Sequence, residues 1–367
     1  MLTRLKRVGD IIMGSIPLYK PYVPELPELD NILHSGQLAY GNYTKEFEQR
    51  LKQFFDTPYL IVTNSFNTAI SVAVPPLGIT FGDEVIVSPM ACLASTQPYL
   101  SAGLKIVWAD VDPKTGTLSP ESVKNAITKK TKAIIHNHFC GYPGFIDEIN
   151  AIGREYGIPV IDDAIEAFGS EYKGKKIGCV STDVTVFSLT AVRMPNVIDG
   201  GIVVFKNEDD YKKSLLVRDC GIDRSRFRDD IGEISADCDI NLIGYSATMS
   251  NVNGYIGIKQ MDSIETLLQK QRAQAKKWDA YFDENNKYIP MTKGFHNPNF
   301  WVYGILTDNK KQTILSFREK GYYASGVHIN NNIYSIFGDY VDLPGTNEFY
   351  SSFVALPCGW WMDEVDV

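Results

Sequence analysis

The chain has 367 residues, of which 44% are hydrophobic and 22% are charged, values that are ordinary for a water-soluble globular protein. Its formal net charge of −8 argues against a general binder of nucleic-acid backbones, which needs a basic face. We see no apolar run near the roughly 18 residues of a membrane helix, and the N-terminal apolar run is too short for a signal peptide. We therefore expect a soluble, cytoplasmic protein with no nucleic-acid or membrane partner.

Chain length and cysteine pattern limit the organisation further. A chain of this length suits a large domain with a smaller one, and we assign residues 1–15 to an N-terminal arm, 16–245 to a large domain and 246–367 to a small C-terminal domain. Six cysteines are scattered without the paired spacing of a metal site, which favours reduced cysteines and predicts no bound metal.

Short β-branched runs alternate with helical patterns through the first two thirds of the chain. The predicted elements, in chain order, are a helix over 43–55, a strand over 59–63, a helix over 67–74, a strand over 84–88, a helix over 94–101, a strand over 105–110, a helix over 120–127, a strand over 132–137, a helix over 145–156, and strands over 159–162, 184–189 and 201–205. This alternation is typical of an α/β fold with a mainly parallel sheet and helices on both faces.

The remaining third has a different pattern. Residues 218–243 are polar and predict a loop, and residues 251–282 predict one long helix. A strand over 300–306 and a helix over 311–320 then predict a smaller α+β domain.

Ligands of a mainly parallel sheet bind at the carboxyl ends of its strands, where three segments carry polar residues. Residues 62–70 (VTNSFNTAI) lead from a strand into a helix, whose N–H groups make either an anion site or a simple helix cap. Residues 160–178 place Glu166 one helical turn beyond Asp163, so both carboxylates can face one ligand, although an aspartate at a helix start is also a common cap. Residues 186–205 form a strand, a polar turn and a Gly-Gly return.

Together these segments resemble the DegT/DnrJ-type sugar aminotransferases, which are fold-type-I pyridoxal-phosphate enzymes that transfer an amino group onto keto sugars carried on nucleotides. The resemblance covers nearly the whole chain and includes SGQLAYGNYTKEFEQRL (35–51), HFCGYP (138–143), RDCGIDRSRF (218–227) and GYYASGVHI (321–329). It implies a fold-type-I architecture, a nucleotide-linked sugar as ligand, a homodimer, and a place in polysaccharide or deoxyamino-sugar biosynthesis.

Site residues carried over by this resemblance come from both domains. Asp163 matches the carboxylate that pairs with the pyridine nitrogen, and Glu166 replaces a glutamine near the cofactor's phenolic oxygen. Ser188 matches a serine that holds the phosphate. His328 matches a histidine near the substrate, and Tyr40 is also assigned to the substrate side.

Other cofactor-contact positions depart from the family pattern. Ser65, Phe66 and Asn67 fall at the turn that offers backbone amides to the phosphate, with Phe66 in place of glycine. Cys92 lies where an aromatic ring stacks on the cofactor in relatives. Ser246 replaces an asparagine that reaches the phosphate of the neighbouring subunit.

The decisive departure is Arg193, which takes the place of the lysine that forms the internal Schiff base, counting back from Gly200 and Gly201. A guanidinium has a pKa above about 12, so it stays charged and supplies neither an imine nor a proton acceptor. This argues against conventional transamination and predicts that pyridoxal or pyridoxamine phosphate is held noncovalently, or that no cofactor is bound.

Three functions remain open at this stage. The first is a sugar aminotransferase-like enzyme, including the case in which arginine was introduced to trap a complex. The second is a lysine-less homologue that binds a nucleotide sugar or another phosphorylated ligand through Arg193. The third is a non-catalytic subunit that dimerises with an active relative. In a purely structural interpretation, Arg193 forms an ion pair with Asp163 or Glu166 and fills the pocket.

Overall fold

The computed structural model describes residues 15–284, 287–291 and 296–363. Of the predicted N-terminal arm (1–15), all residues except Ser15 lie outside the described part. Within the described ranges, no helix combines the length and apolar character needed to cross a lipid bilayer.

A seven-stranded sheet organises the first two thirds of the chain. Its strands are β1 (Leu60–Thr63), β2 (Glu84–Val87), β3 (Lys105–Trp108), β4 (Thr131–Asn137), β5 (Val160–Asp163), β8 (Val184–Ser188) and β9 (Gly201–Phe205), in the spatial order β1-β9-β8-β5-β4-β2-β3. Between β5 and β8 the short strands β6 (Glu171–Tyr172) and β7 (Lys175–Lys176) form a separate hairpin. All pairings are parallel except those of β9, which runs against both neighbours. The predicted α/β class with a mainly parallel sheet is confirmed.

Ten α-helices accompany the strands in the described ranges. They are α1 (Leu29–His34), α2 (Asn42–Phe54), α3 (Phe66–Ala73), α4 (Leu93–Ser101), α5 (Pro120–Ala126), α6 (Ile146–Tyr156), α7 (Glu208–Arg218), α8 (Asn251–Glu284), α9 (Lys310–Glu319) and α10 (Pro344–Ser352). The long helix predicted over 251–282 is α8. The loop predicted over 218–243 begins at the last residue of α7, and its residues 219–243 carry no helix or strand beyond isolated bridges.

Successive side chains of a strand point to opposite faces of the sheet. Both faces of the large sheet are buried, because each is covered by packed side chains. On one face Ile61, Ile161 and Val186 pack against Phe66 and Ile70 of α3. This packing fixes the start of α3 directly above the end of β1.

The other face of the sheet is covered by α2 and α8. Phe187 of β8 packs with Phe47 and Leu51 of α2 and with Ile256 of α8. Gly257 permits the close approach of the two helices, since a Cβ added there would lie 2.6 Å from the Phe47 ring.

A three-stranded antiparallel sheet forms the last third of the described chain. Its strands are β10 (Ile289–Pro290), β11 (Tyr303–Leu306) and β12 (Phe353–Leu356), in the order β10-β11-β12. Trp278 and Phe282, from the second half of α8, pack with Tyr303 and Phe353 in its core. The same core includes Phe139, which follows β4 of the large sheet. The two sheets therefore share apolar packing, and the proposed boundary at residue 245 remains a prediction.

Candidate functional site

Four parallel strands end at the same edge of the large sheet and carry polar residues there. Their last residues are Thr63, Asn137, Asp163 and Ser188. Because carboxyl ends of parallel strands meet at one edge, the segments singled out from the sequence come together.

Asp163 is a buried carboxylate with one oxygen available. Its Oδ1 accepts a hydrogen bond from the backbone N–H of Ile165 at 3.2 Å, while Oδ2 has no hydrogen-bond partner among the described residues. Burial raises the pKa of Asp163 to about 6. A donor that carries positive charge, such as a protonated ring nitrogen, would satisfy Oδ2 and favour the ionised carboxylate.

Glu166 lies at the centre of the site and is held at both oxygens. The backbone N–H of Cys140 donates to Oε2 at 2.7 Å, and Nε2 of His328 lies 2.8 Å from Oε1. Nη1 of Arg193 is 3.4 Å from the same Oε1. Burial opposes ionisation of Glu166, but the charges of His328 and Arg193 outweigh it, so the pKa of Glu166 is lowered.

Arg193 is buried, with 7% of its surface exposed, and it stacks on an aromatic ring. Its Cζ lies 4.4 Å from the centroid of Trp301, whose Nε1 donates to the carbonyl of Val192 at 3.0 Å. Nε and Nη1 of Arg193 have no hydrogen-bond partner in the described part of the chain. Of the two carboxylates considered from the sequence, Glu166 is the one with which Arg193 forms an ion pair.

The start of α3 uses its side chains for capping. The Ser65 hydroxyl accepts a hydrogen bond from the Thr68 backbone N–H at 3.1 Å, and Thr68 Oγ1 accepts one from the Ser65 N–H at 3.2 Å. Phe66 is buried in the sheet core, and Asn67 is exposed. The helix-cap interpretation of this segment is therefore correct for the Ser65 side chain, and the binding of phosphate by the backbone of residues 65–67 stays a prediction.

Three further predicted residues lie around this edge. Ser188 is buried, with its hydroxyl 2.9 Å from Oγ1 of Thr190. Cys92 precedes α4, and burial, followed by the charge of Glu166, raises the pKa of its thiol. Ser246 is exposed, and its carbonyl accepts a hydrogen bond from Asn64 Nδ2 at 3.1 Å within the same chain.

Tyr40 belongs to a different cluster. Its hydroxyl donates to Glu48 Oε2 at 2.7 Å, and its ring centroid lies 4.9 Å from Cζ of Arg218. Arg218 in turn donates to Glu48 Oε1 and to the carbonyl of Val62. The structure therefore joins Tyr40 to the buried Glu48–Arg218 pair and shows no contact of Tyr40 with Glu166 in the described residues.

A buried network of two imidazoles supports the strand that carries Asp163. Nδ1 of His136 and Nε2 of His138 lie 3.0 and 3.5 Å from Oδ1 of Asp162. Burial opposes ionisation of Asp162, but the imidazoles outweigh it and the pKa of Asp162 is lowered. These groups also resemble a metal ligand set, but the Gly144 N–H donates to His138 Nδ1 at 3.1 Å, so the proton of the neutral ring sits on Nε2. Nε2 of both imidazoles and Oδ2 of Asp162 have no hydrogen-bond partner in the described part of the chain.

Two contacts of the site were not predicted from the sequence. Trp301 was part of a predicted strand, and nothing in the segment NPNFWVYGIL marks a ring that stacks on Arg193. Cys140 lies within HFCGYP, a segment quoted for the family resemblance, but the use of its backbone N–H by Glu166 depends on a turn in which Cys140 has φ of 54°.

Comparisons with known proteins agree with this architecture. The family model described as the DegT/DnrJ/EryC1/StrS aminotransferase family matches residues 23–367. An uncharacterised protein of Methanocaldococcus jannaschii is 32% identical over 294 residues, which cover 79% of this chain and 76% of that protein.

Two solved structures are similar over nearly their whole length. The sugar aminotransferase CalS13 from Micromonospora echinospora aligns with a TM-score of 0.89 at 26% identity, covering 96% of both chains. AtS13 from Actinomadura melliaura aligns with a TM-score of 0.85 at 27% identity, also covering 96% of both chains. The chain belongs to the DegT/DnrJ/EryC1/StrS aminotransferase family.

Proposed function

We propose that this protein binds a nucleotide-linked keto sugar, in polysaccharide or deoxyamino-sugar biosynthesis, and does not carry out conventional transamination. Family membership and the likeness to the sugar aminotransferase CalS13 support the ligand class. The observation that carries the second part is Arg193, a buried guanidinium paired with Glu166 at the centre of the site.

The chemistry of arginine explains why this residue matters. Transamination by pyridoxal phosphate needs a neutral primary amine, which lysine supplies because its pKa of about 10.4 falls readily on burial. Lowering the pKa of a guanidinium by five units costs roughly 7 kcal/mol, at about 1.36 kcal/mol per unit. The Glu166 carboxylate lies 3.4 Å from Nη1 of this guanidinium and forms an ion pair with it. Arg193 therefore remains a cation that forms no Schiff base.

The lysines nearest in sequence offer no substitute. Lys173, Lys175 and Lys176 lie in the β6–β7 hairpin, with Lys175 and Lys176 forming β7. Lys206 follows β9, and its Nζ is 3.2 Å from Asp183, which precedes β8 at the opposite edge of the sheet. This arrangement supports a cofactor that is not linked covalently.

The polar groups at the strand ends support a pyridoxal-type cofactor that is held without a covalent bond. The unpartnered Oδ2 of Asp163 suits the pyridine N–H, while Ser188 and the backbone of residues 65–67 would hold the phosphate. When bound, pyridoxal or pyridoxamine phosphate supplies an electron sink, and the latter also brings its own amine. We therefore propose that either form is held noncovalently.

A homodimer in the cytoplasm is part of the same proposal. The segment after α7 exposes four isoleucines, which supports burial against a second chain; they are Ile231, Ile234, Ile240 and Ile243. All six cysteines are unpaired, which supports a reducing compartment.

A non-catalytic partner subunit is the second candidate, and the tight packing around Arg193 favours it. Two cavities border this side chain, with volumes of about 20 and 10 Å³, which is room for single water molecules. In that case the Glu166–Arg193 pair fills the pocket and the chain serves an active relative.

Isothermal titration calorimetry distinguishes a protein that binds a nucleotide-linked sugar from a non-catalytic partner subunit. The purified protein is titrated with UDP-, dTDP- and GDP-linked 4-keto-6-deoxyhexoses and, separately, with pyridoxamine phosphate. We expect saturable binding of at least one sugar nucleotide, and no cofactor fixed to the protein after pyridoxal phosphate and borohydride. If no sugar nucleotide binds, the proposed function is wrong and the partner-subunit candidate is supported. A cofactor fixed to the protein by borohydride would instead support conventional transamination.

A further inference from the structure

One oxygen of Glu166 joins a base and a cation. Oε1 lies 2.8 Å from His328 Nε2 and 3.4 Å from Arg193 Nη1, while Oε2 is fixed by the N–H of Cys140 at 2.7 Å. A carboxylate that is anchored at both oxygens holds the imidazole and the guanidinium in a defined relation, as positioned catalytic groups require.

The hydrogen bond to Glu166 determines which nitrogen of His328 is basic. Because a carboxylate oxygen accepts, Nε2 of His328 is the donor of this hydrogen bond and carries a proton. The lone pair of a general base then lies on Nδ1. The His328 side chain is 15% exposed, so a ligand in the site can reach the ring.

Arg193 offers donors for an oxygen that gains negative charge. Its face is covered by Trp301, its Nη1 lies 3.4 Å from Glu166 Oε1, and its buried Nε has no hydrogen-bond partner among the described residues. Donors placed before the reaction stabilise charge that develops on such an oxygen.

From these contacts we propose that His328, Glu166 and Arg193 exchange the hydrogen next to the keto group of a sugar without any cofactor. The inference rests on the proposed function for its ligand, a nucleotide-linked keto sugar. His328 Nδ1 takes the proton from the carbon beside the carbonyl, the C–H electron pair forms the new C=C bond, and the carbonyl π pair moves onto the oxygen facing Arg193. Return of a proton from His328 regenerates the keto sugar, so no oxidant or reductant is needed.

The test is hydrogen exchange measured in D₂O. UDP- and dTDP-linked 4-keto-6-deoxyglucose are incubated with protein free of pyridoxal phosphate, and the loss of the proton signals beside the carbonyl is followed by ¹H NMR. Binding of the same compounds is measured by calorimetry. We expect exchange well above the buffer blank for at least one of them.

Two variants assign the activity to these side chains. His328→Gln should slow exchange by about 100-fold or more, and Arg193→Met by about 100- to 1,000-fold, while His328→Gln keeps its affinity for the ligand within about threefold. His296→Gln is the matched control, because His296 packs on Tyr172 beside the β6–β7 hairpin and should leave exchange unchanged. Thermal unfolding checks that each variant is folded. If Arg193→Met does not fold, His328→Gln alone still tests the role of His328 as the base.

The outcomes are distinguishable. Binding of a keto sugar without exchange overturns this inference and leaves the proposed function intact, whereas absence of binding overturns both. Exchange that persists in folded His328→Gln places the base elsewhere and also overturns the inference.

Discussion

Removing the negative charge of Glu166 is the sharpest perturbation of the site. Glu166→Gln keeps the shape of the side chain and one acceptor oxygen, so one of the two hydrogen bonds, from His328 to Oε1 or from the Cys140 N–H to Oε2, is kept. It leaves the guanidinium of Arg193, 7% exposed, without its carboxylate partner. The substitution therefore removes the charge interaction and one of the two hydrogen bonds, with little change in volume.

Breaking a buried ion pair by removing one partner costs about 3–5 kcal/mol. We expect about 3 kcal/mol here, the low end, because an amide of the same shape fills the site and keeps one of the two hydrogen bonds. The entropy of unfolding, about 2.1 cal/mol/K per residue, amounts to about 0.8 kcal/mol/K for a chain of 367 residues that unfolds in one transition. The melting temperature should therefore fall by about 4 °C.

Differential scanning calorimetry at pH 7 measures this change. The matched control is Glu46→Gln, which removes a carboxylate from the surface pair with Arg50, at 3.0 Å, and should cost less than about 1 kcal/mol. In the double variant Glu166→Gln, Arg193→Met no charge is left unpaired, and most of the lost stability should return. A Glu166→Gln protein as stable as the wild type, or a double variant less stable than Glu166→Gln, would refute the reasoning.

Two further predictions concern the buried acid and the small-domain core. Asp163→Asn should stabilise the protein, because the folded pKa of Asp163, about 6, exceeds the ordinary aspartate pKa of 3.8. The wild type is therefore fully stabilised only below about pH 4 and loses stability as the pH rises through 6. The gain in the free energy of unfolding should grow from about 1–2 kcal/mol at pH 5 to about 3 kcal/mol at pH 8 in urea unfolding, and an unchanged difference across that range would contradict this prediction. Trp278→Ala should lower the free energy of unfolding by about 3–5 kcal/mol, because it leaves a cavity in the core beneath β11 and removes the hydrogen bond from Nε1 to the Pro357 carbonyl. A urea midpoint equal to that of the wild type would argue against this packing.

Much of the fold could be predicted because the large sheet is buried on both faces. Strands such as β5 and β8 then appear as short apolar runs between helices, which a pattern of hydrophobicity detects. Helix α7 was not predicted, because its sequence is only weakly amphipathic. Asn207 as the N-cap and the acidic residues of the first turn were signals that could have identified it. The strand predicted from Phe300 begins only at Tyr303, because Phe300 has a φ of 54°, which no strand accommodates.

The site was predictable only where it follows strand ends. Asp163 and Ser188 end adjacent strands, so their proximity follows from a parallel sheet. The contact of His328 with Glu166 joins residues 162 positions apart and depends on how the last third packs. Sequence patterns also could not decide which carboxylate pairs with Arg193, because Asp163 and Glu166 are only three residues apart. The contact of the guanidinium with Trp301, which accompanies its pairing with Glu166, depends on tertiary packing.

The central feature of the site is a cation at residue 193 that forms no bond to a cofactor aldehyde. The most direct measurement is intact-mass and peptide mass spectrometry after pyridoxal phosphate and borohydride, on the wild type and on Arg193→Lys. We predict that the wild type stays colourless and unmodified, and that Arg193→Lys acquires a visible absorption band and a cofactor fixed at residue 193. A cofactor fixed to another amine of the wild-type site, together with turnover of a keto sugar, would contradict the account.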